Sequence, residues 1–340
     1  MVSATHCHSV LTLRRTLLQT VAQPSAVLDI RFHPTHNDIF AVASSTATLG
    51  IYRLDPSRSP TSPLLELAVS DPPEAEAGSL FLQCQWHHTK QNWLGVTSSS
   101  GNAYMLILDA EWRLSKVLKL SLESELEPWA IAFSEPRTVK DGSSSFSVYT
   151  GSDDSILRYA SCAWEDGSRE TSFDSDEPVI SLYSAKLTRK HGAGVTAILP
   201  LSIRTPDEGR LVITGSYDDH IRLFAIHDLV QTGGFAMSKL LIEENLGGGV
   251  WRLDPIKIEN RSGRVRIEIL VSCMHAGSRI VVLTSDDRAA WQCRILARFE
   301  EHKSMNYGSD FVRGTEDGRL RCVSTSFYDR LLCVWDYVST

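Results

Sequence analysis

Apolar residues along this chain fall in short, β-branched stretches separated by Gly-, Ser- and Asp-bearing turns. A sustained helical period is almost absent, so the pattern predicts strands. Comparing the chain with itself then finds a repeat. Three segments superpose without gaps: Thr150-Gly-Ser-Asp-Asp-Ser-Ile-Leu-Arg-Tyr-Ala, Thr214-Gly-Ser-Tyr-Asp-Asp-His-Ile-Arg-Leu-Phe and Thr325-Ser-Phe-Tyr-Asp-Arg-Leu-Leu-Cys-Val-Trp. Ser272-Cys-Met-His-Ala-Gly-Ser-Arg-Ile-Val-Val fits the same register. Each reads as a strand, a tight turn and a second strand, the central hairpin of a β-propeller blade. An inner strand is expected before each hairpin, at 129–134, 195–199, 250–255 and 307–312. Two weaker copies follow from 27–33 with 40–54 and from 80–87 with 93–108.

The expected fold is therefore all-β, a WD-repeat β-propeller forming a single domain over 1–340, with six readable blades. A seventh blade is possible if the N-terminal one is partial. Residues 1–26 hold either a closing strand, in which 10–19 completes the last blade, or the remnant of a further blade. Polar stretches at 55–79, 135–145 and 162–178 are expected as flexible surface insertions, the last of them acidic.

Composition narrows the function. The chain has 340 residues, 42% of them hydrophobic and 22% charged, which is ordinary for a globular protein. A net charge of -7 argues against nucleic acid as a partner. No apolar run reaches the ~20 residues of a membrane span, and the N-terminus lacks the order of a signal peptide. Seven cysteines (Cys7, Cys84, Cys162, Cys273, Cys293, Cys322, Cys333) include no Cys-x-x-Cys pair. They read as free thiols in a reducing compartment, so a cytoplasmic monomer is expected. The eleven histidines form no HExxH or paired Cys/His set, so neither a metal nor a cofactor is expected.

In each hairpin one aspartate, Asp154, Asp218 or Asp329, occupies the turn, where it satisfies local N–H groups. The residue before it points toward the loop-bearing face. In register these are Asp153, Tyr217, His275 and Tyr328. They form either an ordinary polar rim or a recognition surface, and Trp251 and Tyr307 enter the inner strands beside them.

Several phrases are more specific than generic WD repeats. Tyr149-Thr-Gly-Ser-Asp-Asp154, Lys190-His-Gly-Ala-Gly-Val195 and Thr214-Gly-Ser-Tyr-Asp-Asp219 are followed by Gly247-Gly-Gly-Val-Trp-Arg252, Ser272-Cys-Met-His-Ala-Gly277, Asn306-Tyr-Gly-Ser-Asp310 and Thr325-Ser-Phe-Tyr-Asp329. This series resembles the diphthine methylesterase family, the WD-repeat proteins of diphthamide biosynthesis. The resemblance runs from about residue 27 to the C-terminus and is strongest from Trp129 onward. It implies hydrolysis of the methyl ester of methylated diphthine on translation elongation factor 2, with that protein as the partner. The family is generally seven-bladed, and Asp254-Pro255 stands where relatives tend to carry an aromatic and His-Pro.

Diphthine carries a trimethylammonium group, so the resemblance gives the aromatic positions a role. Tyr217, Trp251, Tyr307 and Tyr328 with Asp153 would hold a quaternary cation. Ester hydrolysis needs a nucleophile, a base and an oxyanion donor. The chain has no Gly-x-Ser-x-Gly elbow. A His-activated water or a Cys nucleophile remains. His275 and His191 are the candidate bases, Cys273 the candidate thiol, and Arg252 the candidate oxyanion or carboxylate partner. Each also has a purely structural reading. The competing function is a non-enzymatic scaffold or adaptor, because a propeller by itself assigns no chemistry.

Overall fold

Strands carry almost all of the regular structure in the computed structural model, which describes residues 17–138, 144–164, 178–314 and 318–338. They build six antiparallel sheets, taken in chain order. The first comprises β1 (Val27–Phe32), β2 (Ile39–Ser44), β3 (Leu49–Leu54) and β4 (Leu64–Ser70), and the second β5 (Phe81–Trp86), β6 (Trp93–Ser98), β7 (Ala103–Leu108) and β8 (Leu114–Lys119). In the third, β9 (Pro128–Phe133) and the short β10 (Arg137–Thr138) both pair with β11 (Ser144–Ser152), followed by β12 (Leu157–Trp164) and β13 (Pro178–Leu187). The fourth holds β14 (Val195–Arg204), β15 (Arg210–Ser216), β16 (His220–Ile226) and β17 (Ser238–Asn245), with a helical turn α1 (Leu229–Thr232) inserted before β17. The fifth holds β18 (Arg252–Arg261), β19 (Arg264–Ser272), β20 (Ser278–Ser285) and β21 (Gln292–Phe299), and the sixth β22 (Gly308–Arg313), β23 (Arg319–Thr325) and β24 (Leu332–Val338).

The sequence pattern explains the layering. Every residue of the second strands β2, β6 and β15 is buried, because both faces of a blade pack against apolar neighbours. The outer strand β8 instead mixes exposed and half-buried positions. Cores join successive sheets: Trp86 and Phe81 lie with Ile39 and Leu49, and Phe133 with Trp93 and Phe146. Ile213 packs with Ile269 and Val271, and Trp335 with Leu270 and Ile280. The chain divides into two compact units, one holding the first three sheets with α1 and the other the last three.

Five of the six central hairpins place one left-handed residue two positions before the next strand's first ladder residue: Ala47, Ser155, Asp219 and Arg330 with φ of 53°, 63°, 67° and 53°, and Gly101 with φ of 85°. The fifth hairpin instead has Met274 and Gly277, with φ of 41° and 77°, at other positions of its turn. At Gly101 a Cβ would stand 2.0 Å from the Ser124 carbonyl oxygen, so glycine is required there for space as well as conformation. The register read from sequence holds in the third and fourth blades. In the fifth the ladder pairs Ser272 with Ser278 where the fourth pairs Gly215 with Ile221, so Cys273 and not Met274 stands at the place of Ser216. The sixth turn is one residue longer.

Three expectations about insertions need correction. The 55–79 stretch contains β4, an outer strand whose half-exposed positions tolerate polar residues and so hide the strand pattern. Cys162 and Pro178, the ends of the 162–178 stretch, belong to β12 and β13, and 165–177 between them lies outside the described residues. Likewise 135–145 contains β10 and the start of β11. Of the proposed N-terminal closing segment, 1–16 lies outside the described residues. Its continuation is anchored by Gln19, whose side chain donates to the Leu64 carbonyl at 2.9 Å and accepts from the Leu64 N–H at 2.7 Å.

Candidate functional site

The unit of the last three sheets gathers aromatic side chains from three blades into one run. Tyr217 sits in the β15–β16 turn, Trp251 just before β18, Tyr307 just before β22, and Phe327 with Tyr328 in the β23–β24 turn. Ring centroids are 5.8 Å apart for Tyr217 and Trp251, 4.9 Å for Trp251 and Tyr307, 6.1 Å for Tyr307 and Phe327, and 5.1 Å for Phe327 and Tyr328. The last three pairs meet edge to face, as ring quadrupoles favour. Phe327 and Tyr328 remain 65% and 72% exposed, so their faces are open to a partner. Burial, and then the neighbouring Tyr328, raise the Tyr307 pKa. That phenol is therefore neutral at physiological pH. A cleft of about 370 Å³ borders the run, lined by Tyr307, Thr325, Ser326, Phe327, Arg330 and Leu331 among others.

A buried polar network fixes where the run begins. Asn306 is fully buried and donates to the carbonyls of Gly308 at 3.1 Å and Thr325 at 2.8 Å. Its side-chain oxygen accepts from Ser278 at 3.3 Å and Ser309 at 3.2 Å, and Ser309 also accepts from Ser272 at 2.9 Å. The Asn306 N–H donates to the Met274 carbonyl at 2.9 Å, and the Trp251 N–H to the Ser272 carbonyl at 2.8 Å. Tyr307 and Trp251 are thus held by the residues and strand ends beside them. The same Met274–Asn306 bridge lays the exposed His275 beside the entry to β22. Arg252 is half-buried at the head of β18, paired in the ladder with Ser272.

Four predicted recognition residues, Tyr217, Trp251, Tyr307 and Tyr328, therefore meet in one run. Asp153 is half-buried in the β11–β12 turn, with its N–H on the Glu127 carbonyl at 3.1 Å, and belongs to the other unit.

Two catalytic expectations are corrected. The Cys273 side chain lies wholly buried in the apolar core joining the fourth and fifth sheets, and burial pushes its thiol up to about 12. It is a protonated core group and not a nucleophile. His191 is also buried, its Nε2 2.8 Å from the Thr214 hydroxyl, and burial lowers its pKa to about 4. His302 repeats this arrangement in the sixth sheet, with Nε2 2.8 Å from the Ser324 hydroxyl, which also accepts from the Trp335 indole at 3.2 Å. A histidine–hydroxyl pair recurring between blades is a building element. The turn aspartates are structural too. Asp218 binds Arg222 at 2.7 Å and accepts from the His220 and Gly192 N–H groups at 3.1 and 2.6 Å, while Asp329 accepts from Lys303 N–H and Ser304 Oγ, each at 3.0 Å.

Sequence reasoning passed over Phe327 and Asn306. The β23–β24 turn is one residue longer than the β15–β16 turn, with Thr325 pairing Leu332 where Gly215 pairs Ile221. Ser326 therefore keeps the place of Ser216, and Phe327 takes that of Tyr217, its N–H donating to the Met305 carbonyl as that of Tyr217 donates to the Gly194 carbonyl. Asn306 left no signal, because two of its four partners, Ser278 on β20 and Thr325 on β23, are distant in sequence.

No family model matches the chain. It is similar over most of its length to curated proteins named diphthine methyltransferase. Identity is 28% with that of Schizosaccharomyces pombe, covering 92% of this chain and 78% of the relative. With that of Saccharomyces cerevisiae it is 25%, covering 96% and 87%, and with the human protein 24%, covering 84% and 56%. Among solved structures, Chaetomium thermophilum Sqt1 bound to the N-terminus of ribosomal protein L10 superposes with a TM-score of 0.56 at 13% identity, covering 95% of this chain and 73% of that one. Saccharomyces cerevisiae Sqt1 gives 0.51 at 8% identity, covering 94% and 86%. The fold is that of the WD-repeat β-propellers.

Proposed function

We propose that this chain acts in diphthamide biosynthesis as a cytoplasmic enzyme that removes the methyl ester from methylated diphthine on translation elongation factor 2. The aromatic run Tyr217–Trp251–Tyr307–Phe327–Tyr328 carries the reading. Methylated diphthine joins a trimethylammonium and a methyl ester on one carbon, so a surface that seats the cation also places the ester. Neutral aromatic faces attract such a cation, by about 0.5–2 kcal/mol per favourable contact. The named relatives supply the pathway.

In this reading His275 takes a proton from water as the oxygen attacks the ester carbonyl. The carbonyl π electrons move onto oxygen, and the Arg252 guanidinium holds the charge that develops there. Collapse of the tetrahedral species breaks the carbon–methoxy bond. Methoxide takes the proton from His275 and leaves as methanol, and the carboxylic acid left on the protein loses its proton to solvent, giving the carboxylate.

The test is methanol release from methylated diphthine on elongation factor 2, comparing wild type with His275→Ala. Release by wild type and its loss in the variant are expected. A folded wild-type chain that releases no methanol yet captures the factor would replace the enzyme with a scaffold. Release undiminished in His275→Ala would move the base elsewhere.

A further inference from the structure

The third and fourth sheets contain the same buried arginine in the same register, yet only one has its full set of acceptors. In the fourth sheet Arg222, with its side chain 5% exposed, contacts Asp218 through both terminal nitrogens, at 2.9 and 2.7 Å. Its Nε donates to Glu243 at 2.6 Å, the residue directly across the ladder on β17. Arg158 in the third sheet, 4% exposed, likewise gives both terminal nitrogens to the turn aspartate, Asp154. Across the ladder, however, stands Lys186 in place of an acid. The buried Arg158 Nε accordingly has no acceptor. The buried Arg279 of the fifth sheet has a glutamate too, Glu300 at 2.7 Å, but on a terminal nitrogen, and its Nε is likewise without an acceptor.

Arg158 also lines a cleft of about 370 Å³, with Ser121, Leu122, Glu123, Ser184, Ala185 and Lys186. Two cationic residues, two serines and Glu123 thus line a cleft at the ladder position where the neighbouring sheet has Glu243. A buried guanidinium N–H without an acceptor is costly, and a charge-assisted bond to a carboxylate removes that cost.

We propose that this cleft is a docking site for the carboxylate of an acidic side chain on a partner protein, seated on Arg158 Nε and Lys186 as Glu243 sits on Arg222. Glu123 on the rim opposes a dianion more than a monoanion, which favours carboxylate over phosphate. The site lies in the unit of the first three sheets, whereas the aromatic run belongs to the unit of the last three, and it does not depend on the esterase reading.

The arginine Nε–H resonances of the intact chain provide the test. Acetyl-Glu-Glu-amide is expected to move the Arg158 signal downfield, toward that of Arg222. Lys186→Glu supplies the missing carboxylate internally, so its Arg158 signal is expected to be shifted already, with peptide affinity at least about tenfold weaker. The variant should fold at least as stably as wild type. An Arg158 signal unmoved by peptide overturns the proposal, as does an unaltered peptide response in Lys186→Glu. A response to inorganic phosphate but not to peptide overturns the assignment to an acidic side chain.

Discussion

Trp251 meets Tyr307 edge to face, their ring centroids 4.9 Å apart, and joins the exposed β23–β24 turn to Tyr217 on the fourth sheet. If this central ring seats a trimethylammonium group, Trp251→Ala raises KM for methylated elongation factor 2 by about tenfold, within the range of one aromatic contact with a cation. Trp251→Phe keeps a π face and recovers part of the loss. Steady-state methanol release measures both, and an unchanged KM for Trp251→Ala removes the ring from recognition.

Asn306→Ala leaves hydroxyls and carbonyls of the buried network without partners. The expected cost is about 1–3 kcal/mol or more, since several groups share the residue. Urea unfolding gives the value. The variant should also lose esterase turnover, because Tyr307 is its chain neighbour.

Cys273→Ala is expected to leave kcat within about twofold of wild type, since a thiol with a pKa near 12 supplies no thiolate at neutral pH. It should nevertheless lower stability by about 1 kcal/mol for the volume lost from the core. Activity and denaturant midpoint measured together separate these effects.

Trp335 is 1% exposed and stacks on Phe299 at 5.1 Å. Trp335→Ala is expected to cost about 3–5 kcal/mol, and Trp335→Phe much less. Chemical denaturation compares the pair.

Acid acts through the buried histidines. Burial holds His191 and His87 neutral in the fold down to about pH 4 and 3, whereas unfolded histidine protonates near 6.5. The unfolded chain therefore binds more protons below that pH, and stability declines as pH falls from about 6.5 toward 4. Asp218 adds a second loss at lower pH. Arg222 and the backbone N–H groups outweigh its burial and lower its pKa to about 2, so its contribution fades between about pH 4 and 2. His191→Asn should flatten the upper part of this profile, read as urea midpoints from pH 7 to 4.

The sequence by itself determined the blades of this protein. Strand alternation and turn residues are local signals, so the inner strands at 27 and 195 and the hairpins around Asp153 and Tyr217 were legible residue by residue. The turns at His275 and Tyr328 depart from that register by one residue, which only the ladder pairing decides. The outer strand Leu64–Ser70 was not, because an outer strand is partly exposed and its polar positions read as loop. Ladder pairing and burial are set by residues distant in sequence, and these decided the rest. Cys273 and His191 carry reactive groups, but their surroundings make one a core thiol and the other a neutral structural imidazole. The aromatic residues were legible as types, and only packing among three blades made them one run. The vacancy at Arg158 appears only when the facing strand is known, since it depends on Lys186 standing where the next sheet has Glu243.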